Sequence, residues 1–251
     1  VTPNYWYVDE HKGGAFGFNT ETGPGVQPSP LESIKKMIPE KSLWPVNRIW
    51  DYHLGRREFT TFEHWMKPFR HRYGAEDTVQ TFAFKAQMAN YEAMRAMFEA
   101  FHVNRPNATG IIQWMLNSAM PGMLWQLYDW YLMPNGAFYG AKNACRPLNM
   151  VYNYKDHSVY LINDYLHEVD DLSAEIRVLA IDGKELVAKT METRIGANQS
   201  SKLYSLPVVQ CCENIYFLDL RLKTSADKTP LINFYWLSTK QDGLDYESGE
   251  W

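Results

Sequence analysis

The spacing of apolar residues changes along the chain, from helical periodicity in the first half to strict alternation in the second. Phe82, Ala86 and Ala93 recur at helical intervals, and the pattern predicts one long helix from residue 77 or 78 to residue 101. By contrast, residues 174–178 read Ala-Glu-Ile-Arg-Val, the alternation typical of a half-buried strand. The sequence therefore predicts a mixed α/β region followed by an all-β region.

The mixed region is predicted to alternate strands and helices. Ser29 as the cap, Pro30 at the first helical position and Glu32 three residues after the cap predict a helix that Pro39 ends. Continuous apolar runs bounded by turn residues indicate buried strands of a parallel sheet. Further elements are expected as strands at 1–7, 16–19 and 110–116, a helix at 125–132, a long aromatic loop at 43–55, and turns at 104–107 and 134–136.

The number of strands bears on the fold class. Three strand–helix units cannot close a barrel of eight, so we predict that the front region is the carboxyl-terminal part of a (β/α)8 TIM barrel. Short alternating strands and a hairpin signal at Asp182-Gly183 predict an immunoglobulin-like β-sandwich after it. Its strands are expected at 158–162, 173–181, 215–222 and 231–239. The predicted domains are the barrel end at 1–147, the sandwich at 148–240 and a linker at 241–251.

Composition narrows the classes of function. The 251 residues are 45% apolar and 22% charged, a balance that allows a folded core. A net charge of −4 without a basic run argues against a nucleic-acid partner, and no apolar run approaches the ~20 residues of a membrane span. Aromatic residues make up 15% of the chain and include 9 Trp, which fits either a large aromatic core or a carbohydrate site.

Motifs for metals and cofactors are missing from the sequence. The 7 His show no i, i+4 pairing, so no metal site is predicted. No Gly-x-Ser-x-Gly elbow and no phosphate loop with a Lys occurs, and no cofactor is expected. The cysteines follow neither a disulfide nor a zinc pattern, and we predict buried or half-buried thiols at Cys145, Cys211 and Cys212.

One carboxylate, Glu21, stands where a predicted strand ends and a Gly/Pro-rich turn begins. Catalytic groups of α/β proteins gather at this end of the strands, and Gly23 and Gly25 allow sharp backbone turns. Glycoside hydrolysis usually needs a second carboxylate; Asp51 and Asp129 are possible, but capping or solvated roles are favoured for both. Flat faces on which sugar rings could stack come from Tyr5, Trp6, Tyr7, Trp44, Trp50 and Trp114.

Seven stretches of the sequence together resemble glycoside hydrolase family 2, in particular its exo-β-D-glucosaminidase, β-mannosidase and endo-β-mannosidase branches. They follow the order of the carboxyl-terminal part of that family and extend over essentially the whole chain. The stretches are FNTETGPG, WDYH, KAQMANYEAMRAMFEA, TGIIQWMLNS, LWQLYDWYL, NGAFYGAKNACRPLNMVYNY and FYWLSTKQDGLDY.

The resemblance implies a retaining β-glycosidase in which Glu21 is the nucleophile at the end of the seventh barrel strand. Trp114 matches the aromatic residue that ends the eighth strand, and residues 5–7 match the aromatic segment after the sixth. The acid/base Glu of the family lies in an Asn-Glu pair that this sequence lacks, so protein upstream of Val1 is expected to supply it. The predicted substrate-binding residues are Trp114, Tyr5, Trp6, Trp50, His53 and Asn117, although a lone His in an aromatic loop is more often structural.

Two other functions stay open. Without its own acid/base, the chain could be a non-catalytic carbohydrate-binding or scaffold piece, or an interaction module built on the sandwich. The sequence does not choose between β-linked glucosaminides and mannosides. Because polysaccharides lie outside cells, we expect a secreted or periplasmic protein, with the amino-terminal part of the same enzyme as partner.

Overall fold

The computed structural model describes residues 2–8, 14–54, 61–209, 214–225 and 229–240. Within these ranges the chain forms a mixed α/β region followed by an antiparallel β-sandwich, which confirms the change of structure that the apolar spacing predicts. Three predicted features lie outside the described residues, namely Cys211, Cys212 and the linker at 241–251.

One long helix, α5, organises the mixed region. Phe82, Ala86 and Met97 on this helix are fully buried, and Thr78 caps its start by accepting a hydrogen bond from the Thr81 N–H. The described helices are α1 (Tyr5–Val8), α2 (Leu31–Met37), α3 (Arg48–Tyr52), α4 (Phe62–Tyr73), α5 (Val79–Val103) and α6 (Gly136–Ala144), with a 3-10 turn at Glu40–Ser42. None of the helices in this part of the chain is long and apolar enough to cross a bilayer.

Two parallel strands, β1 (Gly17–Thr22) and β2 (Ala108–Gln113), form what we call the front sheet. Its inner face packs on α5, where Ala108 and Ile111 join a cluster that includes Met97. The described residues contain two strands here and not the predicted three, because residues 5–8 form a helical turn in place of a strand. The barrel end stays a prediction.

The sandwich consists of a three-stranded and a four-stranded sheet, with strand orders β3-β4-β7 and β6-β5-β8-β9. Every pairing within these sheets is antiparallel. Side chains of the two inner faces share one core, in which Leu161 of one sheet lies in the same cluster as Ile176 and Leu218 of the other. The strands are β3 (Leu148–Asn153), β4 (Ser158–Asn163), β5 (Val169–Ala180), β6 (Glu185–Ile195), β7 (Gln199–Ser205), β8 (Ile215–Lys223) and β9 (Leu231–Ser238).

A buried polar network joins α5 to the sandwich. The Glu99 carboxylate accepts hydrogen bonds from Asn233 Nδ2 and from the Tyr235 hydroxyl, each at 2.9 Å. The Arg95 guanidinium lies 3.9 Å from the centre of the Tyr235 ring and donates to the Phe234 carbonyl at 2.6 Å. Burial raises the pKa of the Glu99 carboxyl, although Arg95, Asn233 and Tyr235 act in the opposite direction. The network ties the two regions together by specific side-chain partners.

Several local predictions are wrong for identifiable reasons. Residues 125–132 are not helical, because the N–H groups of Leu127 and Tyr128 donate to the Leu116 carbonyl of a neighbouring segment. Ser29 does not cap α2; its buried hydroxyl accepts from Gln126 Nε2 at 3.2 Å. Cys145 is an exposed free thiol.

Besides α1, three of the described helices escaped prediction, namely α3, α4 and α6. α6 begins at the expected turn, where the Asn135 side chain accepts from the N–H groups of Ala137 and Phe138. α3 lies inside the predicted aromatic loop, and Asn47 caps it by accepting from the Ile49 N–H. For α3 and α6 an Asn cap was the readable signal, whereas the cap residue of α4, Thr61, makes no side-chain hydrogen bond.

Candidate active site

The two strands of the front sheet end side by side. Thr22 pairs with Gln113, and the Trp114 N–H donates to the Thr22 carbonyl at 2.9 Å. Glu21, one residue before Thr22, is exposed, and Trp114 is 48% exposed. A carboxylate and an indole are therefore presented from the carboxyl ends of adjacent parallel strands, where α/β proteins place their sites.

Gly23 makes this approach possible. A Cβ atom at Gly23 would lie 2.9 Å from the carbonyl oxygen of Trp114, closer than real Cβ atoms come to a backbone oxygen. Only a residue without a side chain lets the turn after β1 lie against the end of β2.

The turn that follows Glu21 is held by a second strip of backbone. The Trp125 N–H donates to Gly25 at 3.0 Å, and the Gln27 N–H donates to Met123 at 2.7 Å. The same strip reaches the end of β2, because Trp125 accepts from Gln113 Nε2 at 2.6 Å. Residues 123–125 thus fasten the loop after β1 to the end of β2 and fix the direction of both.

His53 stabilises this strip. Its Nδ1 lies 2.9 Å from the carbonyl oxygen of Pro121, and its own carbonyl accepts from the Met123 N–H at 3.0 Å. The side chain is 8% exposed. This environment favours a structural role for His53 over direct contact with a sugar.

Two of the predicted sugar-binding aromatics are in the core, which corrects the prediction. Trp50 is 0% exposed, with the rings of Trp44, Phe62 and Phe82 packed around it, and Trp6 is 2% exposed in the cluster beneath the front sheet. Neither indole has a free face on which a sugar ring could stack.

Two other residues that were predicted to bind sugar, Tyr5 and Asn117, are accessible to solvent. Tyr5 is half-buried, with its ring edge-on to Trp6. Asn117 is exposed, and its Nδ2 lies 3.4 Å from the Ser118 carbonyl oxygen, a long contact. Asn117 belongs to the segment that continues from Trp114, so these two residues lie on the same rim.

Neither carboxylate considered as a second catalytic group is free for that role. Asp51 accepts a hydrogen bond from the Phe62 N–H at 2.7 Å, at the start of α4. Asp129 is fully buried and accepts from the N–H groups of Tyr131 and Met133. Both carboxylates organise backbone. Within the described residues, His, Cys, Asp and Glu form no group of three or more that could hold a metal ion.

The rim and the outer face of the front sheet expose large apolar side chains, as a partial barrel is expected to do. Phe18 is 59% exposed, Ile112 is 54% exposed and Leu116 is 61% exposed. The Phe18 ring lies over Gly110, where an added Cβ would come within 2.5 Å of it. In the sequence, the apolar run at residues 110–116 was the available signal, since such a run indicates a strand that is covered on both faces.

Comparison with known proteins gives these features a context. Residues 155–240 match the family described as Mannosidase Ig/CBM-like domain. The chain is 34% identical to the exo-beta-D-glucosaminidase of Arthroderma benhamiae, over 100% of this chain and 30% of the relative. A mannosylglycoprotein endo-beta-mannosidase of Lilium longiflorum is 25% identical over 93% of this chain and 26% of its own length.

Solved structures agree with the sequence comparison. The exo-chitosanase of Amycolatopsis orientalis superposes with a TM-score of 0.86 at 34% identity, over 96% of this chain and 30% of that protein. A β-D-mannosidase of Dictyoglomus thermophilum has the same fold, with a TM-score of 0.77 at 22% identity over 95% of this chain and 29% of that protein. The chain therefore belongs to the glycoside hydrolase family 2 group of exo-β-D-glucosaminidases and β-mannosidases, and it spans about 30% of the length of these relatives.

Proposed function

We propose that this chain supplies the nucleophile half of the active site of a retaining β-glycosidase that hydrolyses β-linked glucosaminides or mannosides. The observation that carries the proposal is the exposed Glu21 beside the half-exposed Trp114, at the paired ends of β1 and β2. The named activities of the relatives support it, and a substituted variant of one of them, the exo-chitosanase, has been solved in complex with PNP-beta-D-glucosamine.

The chemistry proceeds by double displacement. A Glu21 carboxylate oxygen attacks the anomeric carbon and forms a glycosyl ester, while the glycosidic C–O bond breaks and the leaving oxygen takes a proton from a second carboxylic acid. Water, deprotonated by that second group, then attacks the same carbon and releases Glu21. Because Asp51 and Asp129 bind backbone N–H groups, we assign the acid/base to protein outside this chain.

The proposal includes the remainder of a (β/α)8 barrel. The outer face of the front sheet exposes Phe18 and Ile112, and apolar surfaces of this kind mark sites that other protein covers. The partner is then the amino-terminal part of the same enzyme, and a secreted or periplasmic location suits a polysaccharide substrate.

The decisive experiment is Glu21→Gln in the complete protein, assayed on aryl β-glucosaminide and β-mannoside. Turnover should fall by about 10³-fold or more, because the amide cannot form the covalent intermediate. Glu32→Gln is the matched control, since its exposed carboxylate bonds Lys35 on α2. A fluoro-sugar that traps the intermediate should label Glu21. Normal turnover by Glu21→Gln would exclude the mechanism.

A non-catalytic carbohydrate-binding role is the second candidate. Asp51 and Asp129 both bind backbone N–H groups and are not available as an acid/base, which favours this role for the chain alone. Oligosaccharide binding by the complete protein without hydrolysis, measured by calorimetry and product analysis, would establish this alternative.

A further inference from the structure

A tight turn next to the proposed active site holds three large apolar side chains in solvent. Trp130 is 48% exposed, Leu132 is 71% exposed and Met133 is 43% exposed. We propose that these residues, together with Leu116, form a platform for the sugar units on the leaving-group side of a β-linked oligosaccharide. The inference rests on the proposed function and extends it from the sugar that Glu21 attacks to the units beyond the bond that is cleaved.

The platform continues the rim that begins at Trp114. Leu116 lies two residues beyond Trp114, and its carbonyl accepts from the Tyr128 N–H at 2.9 Å. Asn117 pairs with Tyr128 in a parallel bridge, so the turn begins one residue after this contact. Successive backbone contacts therefore lead from the proposed nucleophile to the platform without an intervening element.

The turn is built rigidly. The fully buried Asp129 accepts from the Tyr131 N–H at 2.9 Å and from the Met133 N–H at 3.0 Å, and its own N–H donates to the Met133 carbonyl at 3.1 Å. Leu132 has a φ of 61°, a conformation that non-glycine residues rarely adopt. A buried carboxylate thus holds a turn whose outward side chains keep a large part of their apolar surface in solvent.

The chemistry of the platform suits a sugar. Between Trp114 and Pro134, Asp129 is the single charged residue, and it is buried, so this segment adds no charge to the surface. Sugar rings have one apolar face and a rim of hydroxyl groups, which matches an exposed indole beside polar tips. The exposed amide of Asn117 and the phenol of Tyr131, with the Lys36 ammonium 5.0 Å from its ring centre, provide such tips.

The test compares substrates of different length in the complete protein. Trp130→Ala should lower kcat/KM on β-linked hexasaccharide about tenfold, and on an aryl glycoside of one sugar less than twofold. Phe84→Ala on α5, which removes a side chain that is 70% exposed, is the matched control and should change neither value.

A second variant guards against an effect of folding. Leu132→Asn removes the apolar side chain, and Asn tolerates a positive φ better than Leu, so the thermal midpoint should not fall. It should also lower kcat/KM selectively on the hexasaccharide.

The outcomes separate the two proposals. The platform would be overturned if Trp130→Ala lowered kcat/KM equally on both substrates or on neither. It would also be overturned if the Trp130 indole were shielded from fluorescence quenchers in the complete protein. In each case Glu21→Gln still reports on the mechanism. If Glu21→Gln is active, the mechanism fails, and weaker hexasaccharide binding by Trp130→Ala in calorimetry would support the platform by itself.

Discussion

The front sheet and the sandwich both carry apolar side chains on their strands, but the described residues cover the inner faces of both sandwich sheets and only one face of the front sheet. Ala174, Ile176 and Val178 of β5 are all 0% exposed, whereas Phe18 and Ile112 of the front sheet are more than half exposed. The difference shows that apolar residues in a strand indicate that the strand is buried, but they do not indicate which part of the protein covers it. In the sandwich the opposing sheet covers the strand; in the front sheet α5 covers one face, and we propose that protein beyond this chain covers the other.

The largest expected effect is a loss of stability at one of two isoleucines, one in the sandwich core and one on the outer face of the front sheet. Ile176→Ala should destabilise the chain by about 2–5 kcal/mol, because it opens a cavity in a fully buried core. Ile112→Ala, at a site 54% exposed, should cost less than about 0.5 kcal/mol. Urea denaturation of the 251-residue chain measures both values.

The same two substitutions, measured in the complete protein, test whether the outer face of the front sheet is covered there. If the upstream part covers the front sheet, Ile112→Ala should then approach the cost of Ile176→Ala. An unchanged, small cost for Ile112→Ala in the complete protein would show that the outer face stays open.

An intermediate effect is expected at the junction of the two regions. Asn233→Ala removes a hydrogen bond to the buried Glu99 carboxylate and should cost about 1–3 kcal/mol, since a buried acceptor loses a partner. The neighbouring Ile232→Ala, at a site 44% exposed, is the control. Equal denaturation midpoints for the two variants would mean that the network does not join the regions energetically.

The smallest expected effect is a pH dependence of stability that comes from Asp164, which contacts the end of α5 from the sandwich region. Burial would raise the pKa of Asp164, but hydrogen bonds from His102 and Arg105 outweigh it and hold the pKa below its ordinary value of 3.8. This carboxylate therefore contributes stability above about pH 4, and the contribution is lost as the pH falls through the lowered pKa.

Thermal midpoints between pH 6 and pH 2 test this expectation. Asp164→Asn should show a shallower decline than the unsubstituted chain. A residual decline is expected, because the pKa of Asp156 is also lowered: burial would raise it, but hydrogen bonds from Ser158 and Lys202 outweigh that effect. Identical slopes for the two proteins would contradict the role of Asp164.

Sequence reasoning was strongest where the signal is local. The period of α5, the alternation in β5 and the strand before Glu21 depend on residues within a few positions of one another, and all three elements are present. It failed where distant partners decide the outcome. Trp50 and Trp114 are equally plausible as sugar-stacking residues in the sequence, yet one is 0% exposed and the other 48% exposed.

By itself, the amino-acid sequence determined the two regions, the strand end that carries Glu21 and the resemblance to glycoside hydrolase family 2, because periodicity and motif order are properties of neighbouring residues. Tertiary structure alone decided that residues 125–128 pair with residues 115–117 in place of forming a helix, and that Asp129 presents Trp130 to solvent. The physical reason is that backbone N–H groups and apolar side chains contact residues that are distant in the sequence and become neighbours only in the folded chain. A local sequence pattern contains no information about those contacts.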